Sequence, residues 1–180
     1  MKNISIICAN ENSTFETIAL RSALEYFGYV PTVHWIGSVE QFTELITGKT
    51  SLAELVVLSC HGTAEGFHGT DNVVIPLNKL TVNLPDATVL SLGCATGTEA
   101  FAKVFINGGV KNYIAPPSYP EGNSALMFAL MFLWQLHEKG DLTKAWKEAV
   151  AILKDSDDQF HFYQKSKNKI LVDGSREILS

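Results

Sequence analysis

Two residues in this chain have the types and the spacing of a nucleophile and its base. The run Val56-Val57-Leu58-Ser59-Cys60-His61-Gly62 ends at a histidine, and Val89-Leu90-Ser91-Leu92-Gly93-Cys94-Ala95 ends at a cysteine. His61 and Cys94 each lie five residues beyond the first valine of their run. Paired as adjacent parallel strands, about 4.8 Å apart, the two runs would deliver imidazole and thiol to the same rim of a sheet. A thiol of ordinary pKa, about 8.5, is only a few per cent thiolate near neutrality. An imidazole titrating near about 6.5 is the side chain best matched to take that proton and return it. Gly62 lets the backbone come close to a substrate carbonyl. The N–H groups of Gly62 and Cys94 would then form an oxyanion hole, a device worth roughly 3–4 kcal/mol per donor in other enzymes. Gly93 removes a side chain that would crowd the nucleophile.

Other chemistries fit less well. A nucleophile elbow needs small residues two before and two after the nucleophile, and Leu92 fills the first of these positions. In that class the histidine also follows the nucleophile, whereas here it precedes it. Cys60, His61, His68 and Cys94 have zinc-ligand chemistry but no Cys-x-x-Cys spacing, and consecutive residues of an extended segment point to opposite sides. Gly62, Gly66 and Gly69 are followed by no Gly-Lys-Ser/Thr, so a phosphate loop is weakly indicated. Cys8 and Cys60 read as small buried hydrophobes. His34, His137 and His161 read as structural or solvated.

The elements that must position the pair alternate along the chain. Ile4–Cys8, Val33–Ile36, Leu55–Leu58, Thr88–Leu92 and Tyr113–Ala115 are short apolar runs, as buried parallel strands are. Helical spacing covers Thr14–Phe27, with Phe15, Ile18, Ala19, Ala23 and Phe27 on its apolar face and Gly28 as its stop. Ser38 can cap a helix bearing Phe42, Leu45 and Ile46, closed by Gly48. Glu99–Ile106, Ser124–Glu138 and Leu142–Leu153 complete the helices. The Gly- and Asn-rich stretch 63–86 holds a small β excursion at Val73–Ile75 and Leu80–Val82. Phe160–Tyr163 is expected as an edge strand followed by a hairpin or tail. This order predicts a single α/β domain over residues 1–180, with a mostly parallel sheet and helices on both faces. Ligands of such sheets collect at the carboxyl ends of the strands.

Composition narrows the function further. The 180 residues are 46% apolar and 18% charged, the balance of one globular domain. A formal charge of -5 leaves no electrostatic footprint for nucleic acid, and Lys165–Lys169 is the only basic cluster. No secretory signal is expected, because the apolar run Ile4–Ala9 is interrupted at once by Asn10-Glu11-Asn12. The most apolar stretch, Ala125–Leu136, falls short of the ~20 residues that span a bilayer, so no membrane partner is expected. Three cysteines make no disulfide framework, and the odd count suits free thiols in the cytoplasm. Ser124–Glu138 is apolar nearly all round, which suits core or a subunit interface, and a homodimer or a regulatory partner is the further expectation for the chain.

With these residues in view, the chain resembles the caspase-like cysteine peptidases, and most closely the bacterial CHAT domains. The resemblance rests on the strand ending in His61-Gly62 and the one ending in Cys94-Ala95-Thr96-Gly97. It extends through Phe101-Ala102-Lys103-Val104-Phe105-Ile106-Asn107-Gly108-Gly109, Tyr113-Ile114-Ala115, Tyr119–Phe128 and Trp146–Ala149. It implies a caspase-like three-layer sandwich and a cysteine endopeptidase acting on protein or peptide, with His61 as base, Cys94 as nucleophile and no metal or organic cofactor. A caspase-like module without turnover, serving as a binding or regulatory partner, is the alternative. Departures are Gly93 where the family has alanine, and Tyr119 and Asn123 in place of a Trp- and Asp-bearing turn. The pocket for the residue before the cut is expected from Asn10, Leu92, Ser118 and Tyr119. None carries a carboxylate, so preference for Arg or Lys would need an acid from elsewhere, with Glu65, Asp71 and Glu121 as candidates.

Overall fold

The computed structural model describes residues 2–70, 73–153, 159–166, 169–173 and 176–179. Five parallel strands form its centre: β1 (Lys2–Cys8), β2 (Tyr29–Trp35), β3 (Leu55–Ser59), β7 (Thr88–Ser91) and β8 (Asn112–Ala115). Between β3 and β7 a separate three-stranded antiparallel sheet is built from β4 (His61–Thr63), β5 (Gly66–His68) and β6 (Val74–Pro76). Three antiparallel strands, β9 (His161–Ser166), β10 (Lys169–Val172) and β11 (Arg176–Leu179), extend the main sheet to eight in the order β11-β10-β9-β8-β7-β3-β1-β2.

The sheet is the middle of three layers. One face buries Ile7, Val56, Leu58 and Val89 against α2 (Val39–Ile46), α3 (Glu99–Asn107) and the small sheet. The other buries Ile6, Val57 and Leu90 against α1 (Thr14–Phe27), α4 (Gly122–Lys139) and α5 (Leu142–Val150). Alternate residues of one strand thus enter opposite cores, which is why these runs are apolar without interruption. The helices start and stop by local chemistry. Ser38, Thr98 and Asp141 accept the N–H groups of Gln41, Phe101 and Lys144, while Gly28 ends α1 in the left-handed region at φ 93°. Among the described residues, no helix is long and apolar enough to cross a membrane.

Three expectations change. Leu80–Val82 forms no strand; a 3-10 turn at Leu77–Lys79 precedes it, and Leu80 and Val82 bury their side chains from irregular backbone. The strand expected at Phe160–Tyr163 is not an edge, because β10 and β11 continue the sheet beyond β9. In α1 the buried stripe is Thr17, Leu20 and Leu24, whereas Phe15 and Ile18 are 78% and 52% exposed. The buried face therefore lies more than a third of a turn from the one that apolar periodicity selects.

Candidate active site

The parallel pairing of β3 with β7 sets Val56 opposite Val89, Val57 opposite Leu90 and Leu58 opposite Ser91. The ladder continues one step further, Leu92 N–H donating to Leu58 O at 2.9 Å. His61 and Cys94 leave this pair of strands at the same end and line one cavity of about 450 Å³. Its remaining walls are Asn12, Ser13, Phe15, Glu16, Cys60, Leu92, Pro120, Ala125 and Leu126. A larger depression, about 570 Å³, opens at the start of β1, β3 and β7, at the opposite end of the sheet, and holds no nucleophile. The cavity at the strand carboxyl ends is the one with the chemistry.

The loop that carries Cys94 is held rigidly from behind. Thr96 Oγ1 donates to Gly93 O at 2.6 Å, which uses its only hydrogen, so Ser91 Oγ is the donor in the 3.0 Å contact between the two hydroxyls. Tyr113 and Tyr163 each donate a buried hydroxyl to this loop, to Thr96 O at 3.0 Å and Gly97 O at 2.7 Å. Ala95, directly after the cysteine, has φ 56°, and its N–H is tied to Ser118 O at 2.6 Å. A non-glycine residue in that region is a strained turn, kept by the bonds around it.

Glycine is required where the His61 strand meets this loop. A Cβ on Gly62 would stand 2.6 Å from Thr96 Cγ2 and 2.7 Å from Cys94 O. Only a residue without one lets the backbone beside His61 approach the backbone of Cys94. Among the described residues no hydrogen bond links thiol to imidazole, so the pair faces a shared cavity rather than forming an ion pair. Burial raises the Cys94 pKa above its ordinary value; its own N–H works the other way, and the Glu16 carboxylate adds a smaller upward push. Cys60 is buried behind the site, its thiol pushed far up by burial, and a Cβ on Gly93 would lie 3.2 Å from its sulfur.

The expected contact residues divide. Leu92 lines the cavity. Asn10 is buried and spends its side chain internally: Oδ1 accepts from Ser13 N and Ser13 Oγ, and Nδ2 donates to His68 O. Ser118 contributes its carbonyl to Ala95, and Tyr119 is exposed; neither is a wall of the cavity, where the neighbouring Pro120 stands instead. Among the described residues no group of three or more His, Cys, Asp and Glu side chains is placed to hold a metal ion.

The acid that sequence reasoning missed is Glu16. Its Oε1 accepts from Ser59 Oγ at 2.6 Å, and burial raises its pKa from 4.5 to about 7 against the lowering effect of that bond. Of the three acids expected to serve this role, Glu65 is exposed and Glu121 is exposed, both outside the cavity wall, and Asp71 lies outside the described residues. The signal for Glu16 was available in the spacing Ser13, Glu16, Leu20 and Leu24, a helical stripe that becomes visible only once Phe15 and Ile18 are turned outward.

No protein-family model matches the chain, and no curated protein matches it. Among solved structures it is similar to the complex of Porphyromonas gingivalis RgpB pro- and mature domains, with a TM-score of 0.58 and 13% identity. The match covers 88% of this chain and 46% of that one, so the chain spans about half of its structural neighbour. That neighbour is a gingipain, a caspase-like cysteine peptidase. The fold is caspase-like. At this identity the likeness speaks to architecture alone, and the caspase-like arrangement is the sheet and three layers described above.

Proposed function

We propose that the protein is a thiol-dependent peptidase of the caspase-like class, of the CHAT type, with Cys94 as nucleophile and His61 as its base. The observation that carries this reading is the convergence of both residues on one cavity at the carboxyl ends of adjacent parallel strands. In the reaction the thiol proton passes to the imidazole and sulfur bonds to the peptide carbonyl carbon. The N–H groups of Gly62 and Cys94 are the nearest candidates to hold the resulting oxyanion. Collapse expels the amine, which takes the proton from His61, and water then releases the acyl group from sulfur. Glu16, with an apolar wall of Phe15, Leu92, Ala125 and Leu126 around it, makes Lys or Arg the best-matched side chain before the cut.

A second reading, a caspase-like binding or regulatory module, is favoured by the elevated Cys94 pKa and the missing thiol–imidazole bond. A peptidyl electrophile separates the two. Covalent labelling that disappears in Cys94→Ala, and falls steeply in His61→Ala, supports the peptidase; an accessible Cys94 that no peptidyl electrophile labels supports the module.

A further inference from the structure

Among the described residues, four ionisable side chains line the cavity, Glu16, Cys60, His61 and Cys94, and no lysine or arginine is among its walls. Glu16 comes from the first turn of α1, Cys60 and His61 from the exit of β3, and Cys94 from the exit of β7. The titratable groups on neighbouring segments stand outside the wall: Glu11 before α1, Glu121 before α4, Glu65 in the turn between β4 and β5, and His68 on β5. Further along α1, Arg21 is already paired with Glu25 at 2.9 Å, and Lys139 at the far end of α4 is paired with Glu148 at 2.6 Å. Ser59 Oγ serves Oε1 of Glu16, and Oε2 accepts no hydrogen bond among the described residues.

A carboxyl set among apolar walls without a cation is an unfinished ion pair. When ionised, it also places a negative charge in the cavity lined by the sulfur that must become negative in order to attack. Like charges in a low-dielectric cavity oppose each other's formation, and a cation bound to one relieves the other. Burial does most to raise the thiols of Cys60 and Cys94, and the Glu16 carboxylate pushes both in the same direction by less. We infer that Glu16 couples occupancy of the cavity by an ammonium or guanidinium group to the reactivity of Cys94. An ionised, unpartnered Glu16 holds Cys94 less reactive than burial alone would, and a cationic side chain docked on Glu16 lifts that added opposition. Docking displaces the proton that Glu16 carries below about pH 7 to solvent, and the Cys94 proton goes to His61. The inference rests on Cys94 being the reactive thiol of the proposed peptidase and adds a regulation of that site.

The test follows alkylation of Cys94 by neutral iodoacetamide between pH 6 and 9.5, read by peptide mapping so that Cys8 and Cys60 do not interfere. Agmatine and n-butylamine are the probes, with n-butanol and matched sodium chloride as controls. Expected is an acceleration of about three- to tenfold by either cation above pH 7, and none by the controls. Glu16→Gln should react faster than wild type without any cation, by a similar factor, and gain nothing from agmatine. Glu16→Asp, which keeps the charge, should still respond. Equal rates in wild type and Glu16→Gln, or an agmatine effect that survives Glu16→Gln, would overturn the coupling. The wild-type response to agmatine needs no variant, so a misfolded mutant does not shield the idea. Peptidyl electrophiles ending in Arg or in citrulline form a parallel arm. Labelling of Cys94 by both at equal rates refutes the coupling while leaving the peptidase standing; a cation effect on iodoacetamide without any peptidyl labelling does the reverse.

Discussion

Replacing Glu16 by Gln removes one titration from the folded protein and leaves a group of nearly the same shape that can still bond Ser59. In the folded state the carboxyl releases its proton near about pH 7, in the unfolded chain near the ordinary 4.5. Between those values the native protein holds a proton that the unfolded chain has given up. Protonation therefore favours folding, and stability contributed by this group falls as pH rises from 4.5 to about 7, then levels off. The span corresponds to about 3 kcal/mol at most, since each pH unit is worth about 1.4 kcal/mol. The Gln variant lacks that slope. Near pH 4.5 and below, the two proteins should agree within about 1 kcal/mol, the worth of one neutral hydrogen bond. At pH 8 the variant should be the more stable by about 2–3 kcal/mol. Urea unfolding at half-unit intervals from pH 4 to 8.5 measures this, and the difference between the two curves cancels every group they share. Parallel curves over the whole range would refute the placement of Glu16 as a largely desolvated acid without a cation.

Other substitutions read the site from different sides. Gly62→Ala should destabilise by about 1–3 kcal/mol and slow thiol labelling of Cys94, because its Cβ meets Cys94 O and Thr96 Cγ2; thermal melting with labelling rates checks both. Cys94→Ala should leave the melting temperature nearly unchanged, whereas Cys60→Ala, buried in the core, should lower stability by about 1–2 kcal/mol; the reverse ranking would contradict the burial of the two sulfurs. Tyr163→Phe should cost about 1–2 kcal/mol by leaving Gly97 O without its donor, and should shift the pH profile of Cys94 alkylation if the loop loosens around the thiol.

The parallel core was legible because a strand buried on both faces has to be apolar throughout, and Val56 and Val89 even mark its register. The meeting of His61 and Cys94 at one cavity followed from that register alone. What escaped was set by tertiary packing. The α1 helix has apolar residues on two sides, and periodicity picked Phe15 and Ile18; the sheet instead took Thr17, Leu20 and Leu24, which brought Glu16 inward with them. Asn10 has the polarity of a ligand contact, but the turn after β1 and the carbonyl of His68 claim its side chain first. The hairpin β10–β11 mixes charged and apolar residues, so no uninterrupted run announces that β9 lies inside the sheet.

Tyr163 reaches back 66 residues to Gly97, and it stands on a strand that pairs antiparallel with β8. A ribosome delivers the histidine and the cysteine long before it delivers that tyrosine. While the chain is being made, the central parallel strands can assemble, yet the turn after Cys94 still lacks one of the donors that hold it, the one on Gly97 O. The turn that carries Cys94 should therefore be finished late, after β9 has docked. A nascent chain ending between Val150 and Phe160 is expected to have a protected central sheet by hydrogen exchange and a nucleophile turn held by Thr96, Tyr113 and Ser118 but less protected at Gly97. For the peptidase proposed above, the order of synthesis would itself be a delay on activity.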